Sequence, residues 1–183
     1  MKKSLLAGLV LSALSLPSFA TEVDIQTNLG DIRVDLNEQA APNTVKNFLQ
    51  YVDEGFYEGV IFHRVIKGFM VQGGGFTADL DRKKTHRAIA YEGNNGLKND
   101  RGTLAMARTN DPNSATSQFF INHVDNAFLN HGAQGDAGYT VFGKVISGMD
   151  VVDQIASVPT RTVGPYQNVP STPVTIEKIT RVN

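Results

Sequence analysis

The chain has 183 residues, 41% of them hydrophobic and 19% charged, with 17 basic residues against 18 acidic ones. That is the composition of an ordinary globular domain, and its near-neutral charge lacks the basic excess of a nucleic-acid binder. With no cysteine anywhere, disulfides, a thiolate nucleophile and a lipidated N-terminal cysteine are excluded.

The start of the chain reads as a secretory leader, residues 1–20. Lys2-Lys3 supply its positive end, Leu5 to Leu16 its apolar stretch, and Ser18-Phe19-Ala20 a small-x-small cleavage site. The apolar run is shorter than the roughly 20 residues a membrane span needs, so no membrane association is expected once the chain is cut after Ala20. Residues 21–183 are then expected to form one domain.

Val23, Ile25 and Thr27 alternate with polar neighbours, Asn28 to Asp31 turns, and Ile32, Val34 and Leu36 alternate again, which predicts a β-hairpin. Pro42 opens a helix whose apolar stripe is Val45, Phe48, Leu49 and Val52, ending near Gly55. Val60 to Ile66 and Phe69 to Val71 read as strands around a Lys67-Gly68 turn, and Gly73 to Gly75 let the backbone bend or approach something closely. Thr77 to Arg87, with Arg82-Lys83-Lys84, reads as a solvated loop, the alternative being a patch for an acidic partner. Strands follow at Gly102 to Arg108, Ser117 to Asn122 and Val141 to Ile146, a helix at Met149 to Ala156, a proline-punctuated loop from Pro159 to Pro173, and a last strand from Val174 to Val182. Many short strands with only two helices, in no regular alternation, point to an antiparallel barrel with its open ends covered by the helices.

Chemistry-bearing residues concentrate in two stretches. The first, residues 61–76, sets Arg64, His63 and Gln72 among Phe62, Phe69, Met70 and Phe76; the second, residues 106–122, sets Arg108 and Gln118 beside Phe119 and Phe120. A few polar groups in an apolar lining are the usual make-up of a small binding pocket. The four histidines show no zinc-site spacing and no Gly-x-Ser-x-Gly turn is present, so metal and serine-hydrolase chemistry find no support. His63, next to Arg64 on a strand, should face the other way in a structural role.

The runs FHRVIKGFMVQGGGF, MARTNDPNSATSQFFIN, FLNHG and YTVFGKV resemble the cyclophilin family of peptidyl-prolyl cis-trans isomerases from Val23 to Val182. The resemblance, nearest to the bacterial periplasmic members, implies a closed eight-stranded antiparallel barrel with two helices, acting without metal or cofactor on X-Pro bonds of exported proteins. By motif position it implies Arg64 as the catalytic arginine with Gln72 beside it, a proline pocket of Phe69, Met70, Phe120 and Leu129, and Gln118 as a further polar contact. Ala107 and Arg108 fall where the family pairs its backbone with substrate. Phe128 stands in place of a frequent tryptophan, and the loss of its indole N–H implies weak cyclosporin binding; Tyr139 stands in place of a frequent histidine. A monomer in the periplasm is expected.

Overall fold

The structure, a computed structural model, describes residues 21–182; the expected leader lies outside the described residues. Its strands are β1 (Thr21–Thr27), β2 (Gly30–Leu36), β3 (Val60–Ile61), β4 (Arg64–Ile66), β5 (Met70–Gly73), β6 (Thr103–Met106), β7 (Phe119–Asn122), β8 (Val141–Ser147), β9 (Thr160–Val163), β10 (Tyr166–Pro170) and β11 (Thr175–Val182); its helices are α1 (Pro42–Asp53) and α2 (Met149–Ala156). In the first hairpin the alternation holds residue by residue: Val23, Ile25, Thr27, Ile32, Val34 and Leu36 are all buried. The turn is tighter than Asn28 to Asp31, because Gly30 and Asp31 already pair with Thr27 and Gln26.

Nine strands form one antiparallel sheet in the order β3-β11-β1-β2-β8-β6-β7-β5-β4. Its two edges, β3 and β4, are separated in the chain by Phe62 and His63 alone. Three residue steps span at most about 11 Å, so the edges must lie together and the sheet curls closed on itself. Ile61 donates from its backbone to Phe76 O (2.9 Å) and Val60 bridges Thr77, joining β3 to the chain beyond β5 across that seam. The expected barrel with two helices is therefore present. Its strand count is nine rather than eight because the run from Val60 to Ile66, read as one strand, breaks at this seam.

The barrel interior is apolar and continuous with both helices: Phe48 of α1 reaches Phe142 (5.3 Å between ring centres), Tyr57 (5.4 Å) and Phe119 (5.5 Å, edge-on), and Val152 and Ile155 of α2 join the same core. Ala41 precedes α1 without a capping side chain. Glu92, from the long connection between β5 and β6, caps it instead, accepting from the backbone N–H groups of Asn43 (3.1 Å) and Thr44 (2.9 Å) and from the Thr44 hydroxyl (2.7 Å). A carboxylate there satisfies orphan donors and complements the positive helix end.

Two loop readings change. The stretch from Pro159 to Pro173 is not plain loop: β9 and β10 make a separate two-stranded ribbon. Within Arg82-Lys83-Lys84, Arg82 bridges Phe76, and the Lys83 ammonium donates to Phe56 O while lying 4.6 Å over the Phe56 ring.

Candidate active site

Strand period places alternate residues of β4, β5, β7 and β6 on opposite faces of the sheet. Val65, Val71, Ile121 and Leu104 are register partners and form one row pointing into the barrel. The adjacent row, Arg64, Gln72, Phe120 and Ala105, points out. There Met70, Ala105, Phe120, Leu129 and Val141 build a second, smaller apolar cluster on the barrel's outer face. Strands β6 and β7 are buried at every position because apolar groups cover both of their faces. A slip of one residue in this register would send Arg64 and Gln72 into the core.

On this outer face a cavity of about 140 Å³ is lined by Arg64, Phe69, Met70, Gln72, Ala107, Arg108, Phe120, Leu129 and Tyr139. Nine of the site residues expected from the sequence thus share one pocket. Gln118 and Phe128 border it: the Gln72 amide donates to Gln118 Oε1 (3.1 Å), and Phe128, 53% exposed, stacks on Phe69 with ring centres 5.7 Å apart. At a few water volumes, the cavity is too small for a nucleotide and suits a single ring with its flanking amide. A larger trough of about 730 Å³ along α1 is lined by charged groups such as Lys46, Asp53, Glu54 and Arg181 and holds none of these residues.

The two guanidiniums of the pocket differ. Arg64 is half-buried, and among the described residues its one side-chain hydrogen bond is a long donation to Gln72 Oε1 at 3.4 Å. Arg108 is almost fully tied: it donates to Gly138 O (2.8 Å), Thr109 O (2.9 Å) and Asp136 Oδ1 (3.1 Å), its side chain is 6% exposed, and it lies 4.6 Å over the Tyr139 ring. Tyr139 in turn meets Phe120 edge-on at 5.5 Å. The Ala107 N–H is spent on Gln118 O (3.0 Å), so of its backbone groups only the carbonyl remains for a substrate chain.

Close backbone approach explains the glycine run. A Cβ on Gly74, whose φ is +89°, would lie 2.9 Å from Ser117 O, and one on Gly75 would lie 2.6 Å from Gln118 Cγ. Only glycine lets the end of β5 settle against Gln118.

Sequence reasoning missed the groups that hold the pocket walls. Phe69 O accepts from the His123 N–H (2.9 Å) and the Asn126 amide (2.9 Å), and Gly68 N–H donates to His123 Nδ1 (3.0 Å). Buried Asn126 donates to Asn122 Oδ1 (2.8 Å), Asn122 to Asn99 Oδ1 (3.2 Å), and Asn99 to Leu129 O (3.1 Å). This amide chain fixes Phe69 and Leu129 relative to one another, and a satisfied buried network is rigid. The only prior hint was the density of asparagine in the stretch from Glu92 to Asp100, since Asn99 lies 23 and 30 positions from Asn122 and Leu129.

His63 sits between β3 and β4, off either strand, with its ring 4.5 Å from Phe76. Burial first, then the adjacent Arg64 charge, lowers its pKa to about 4, so it is neutral near pH 7. Its Nδ1 is buried without a hydrogen-bond partner among the described residues.

The profile of the "Cyclophilin type peptidyl-prolyl cis-trans isomerase/CLD" family matches residues 22–181. The chain belongs to the cyclophilin-type peptidyl-prolyl cis-trans isomerases. It is 56% identical over 185 residues to peptidyl-prolyl cis-trans isomerase A of Dickeya dadantii, covering 97% of this chain and 96% of that one. Peptidyl-prolyl cis-trans isomerase B of Escherichia coli K12 is also 56% identical, over 160 residues, covering 86% of this chain and 98% of its own. Among solved structures, a Cryptosporidium parvum cyclophilin crystallised in the presence of the dipeptide Ala-Pro superposes with a TM-score of 0.74 at 31% identity, covering 88% and 99% of the two chains. The protein is thus a cyclophilin-type isomerase of X-Pro peptide bonds.

Proposed function

We propose that this cyclophilin accelerates X-Pro rotation in proteins exported to the periplasm, after its own leader is cut behind Ala20, and that Arg64 is the group that stabilises the turning amide. Rotation about an X-Pro bond meets a barrier of about 18–20 kcal/mol because it breaks amide resonance. No bond is made or cut, so a site need only fit the twisted amide better than either planar form. As the C–N bond turns, the proline nitrogen becomes pyramidal and acquires a lone pair that a fixed donor can engage. A guanidinium, always protonated and planar, holds several N–H groups in a rigid fork for this.

The observation carrying the reading is the place of Arg64: a lightly held cation on the wall of a small pocket whose other walls are Phe69, Met70, Phe120 and Leu129. Those side chains would seat the pyrrolidine ring and keep water away, which strengthens a hydrogen bond to the twisted amide. Gln72 bonds Arg64 on one side and Gln118 on the other, suiting it to aim the guanidinium. Exchange NMR on an Ala-Pro peptide tests the reading. Wild-type protein should broaden and exchange the cis and trans signals, and Arg64→Ala should stop the exchange while the peptide still binds. Exchange that survives in Arg64→Ala removes the proposed role of Arg64; binding without exchange in the wild type would leave a holding function only. Mass spectrometry of the protein recovered from the periplasm should give a chain starting at Thr21.

A further inference from the structure

We propose that a second subsite, on the opposite side of Arg64 from the proline pocket, takes an aromatic residue flanking the proline. The proposal deepens the isomerase reading above and rests on it. Arg64 borders two cavities: the pocket of about 140 Å³, and another of about 300 Å³ lined by His63, Arg64, Pro165, Tyr166, Gln167 and Asn168. One side chain is their common wall. An extended chain advances about 3.3 Å per residue, so a substrate with its proline in the first cavity carries a residue one or two positions away across Arg64 into the second.

The β9–β10 ribbon, which pairs with no strand of the main sheet, supplies most of that lining. Its register shifts by one residue between Tyr166 and Val169, which makes a bulge at Gln167-Asn168. Bulges re-aim side chains, and this one turns two amides toward the cavity. Two rings of the lining share one aromatic neighbour: the His63 ring lies 4.5 Å from Phe76, and Phe76 meets Tyr166 edge-on at 5.3 Å. His63 is 6% exposed, uncharged near pH 7, and keeps Nδ1 unpartnered. Among the described residues lining the cavity, Arg64 is the one cation and no carboxylate is present.

That inventory selects its occupant. An aromatic side chain can pack against Tyr166 and offer its face to the Arg64 guanidinium, while Gln167 and Asn168 offer amides to the adjoining backbone. A lysine would meet Arg64 with like charge. A small side chain would leave most of the cavity wet.

The test compares kcat/KM for two Ala-Pro peptide series that carry Phe or Ala beside the proline, first on its N-terminal and then on its C-terminal side. In one series the wild type should prefer Phe by about 3- to 10-fold, the range expected of one aromatic or cation–π contact. Tyr166→Ala should erase the preference, Tyr166→Leu should also erase it while filling the volume, and Tyr166→Phe should keep it. No preference in the wild type, or one that survives in both Tyr166→Ala and Tyr166→Leu, overturns the subsite. If neither peptide is turned over, the isomerase reading fails. The subsite is then decided by backbone amide shifts: movement of Tyr166 and Asn168 on adding the Phe peptide but not the Ala peptide supports it, and equal or absent movement refutes it.

Discussion

Two guanidiniums line one pocket, and only one should matter to the chemical step. Replacing Arg64 by Ala removes a charged donor whose sole side-chain bond among the described residues is a 3.4 Å donation to Gln72. Losing so long a bond should cost less than about 1 kcal/mol of folding stability. If the guanidinium grips the twisted amide in a dry pocket, its loss resembles removal of one oxyanion-type donor, about 2.7–4 kcal/mol in the transition state, or roughly 100- to 1,000-fold in kcat/KM. Arg108 is different. Its N–H groups hold Gly138 O, Thr109 O and Asp136, so Arg108→Ala leaves carbonyls without their donor and should cost about 1–3 kcal/mol of stability, with kcat falling less than tenfold. Protease-coupled rates on an Ala-Pro peptide, read beside urea midpoints for both variants, separate the cases. An Arg64→Ala rate within threefold of the wild type, or an Arg108→Ala loss of kcat as large as that of Arg64→Ala, would refute this division of roles.

Acid should destabilise the fold through His63. Its folded pKa of about 4 lies below the unfolded value of about 6.5, so between those pH values the unfolded chain binds a proton that the buried ring refuses. Stability therefore falls as pH drops through that window, by about 3 kcal/mol in full, and urea midpoints at pH 4.5 and 7.5 should differ less in His63→Gln than in the wild type. Glu92→Ala removes the cap of α1 and should cost about 1–2 kcal/mol, read as a lower thermal midpoint although residue 92 lies 48 positions from Thr44 in the chain. Phe128→Trp restores an indole N–H on an exposed ring stacked against Phe69. One added hydrogen bond of about 0.5–1.5 kcal/mol should tighten cyclosporin by roughly 2- to 12-fold in a titration, and unchanged affinity would argue that the indole donor is not what limits binding.

Much of this was visible in the order of residues. Val23, Ile25 and Thr27 alternate because each strand has one face in the core, and the α1 stripe of Val45, Phe48, Leu49 and Val52 follows the helical period for the same reason. The pocket residues were legible through the family resemblance of their motifs, and the structure's strand period keeps Arg64, Met70, Gln72 and Phe120 on one face of the sheet. The ribbon of β9 and β10 was not legible, since prolines at its ends and tip look like loop punctuation, and its pairing depends on a bulge. Nor was the break at Phe62-His63, where the local apolar pattern continues unbroken while the strand changes partners.

Period, turn chemistry and motif spacing thus determine which residues form strands, which face each side chain takes, and which polar groups sit among aromatics. Tertiary closure alone decides that Glu92 caps a helix it does not adjoin, that Asn99, Asn122 and Asn126 chain together beneath Phe69 and Leu129, and that Arg108 is tied down while Arg64 is left available. Local patterns follow from each residue's neighbours in the chain, whereas most of these hydrogen bonds join groups from distant parts of the chain that only the tertiary fold brings together.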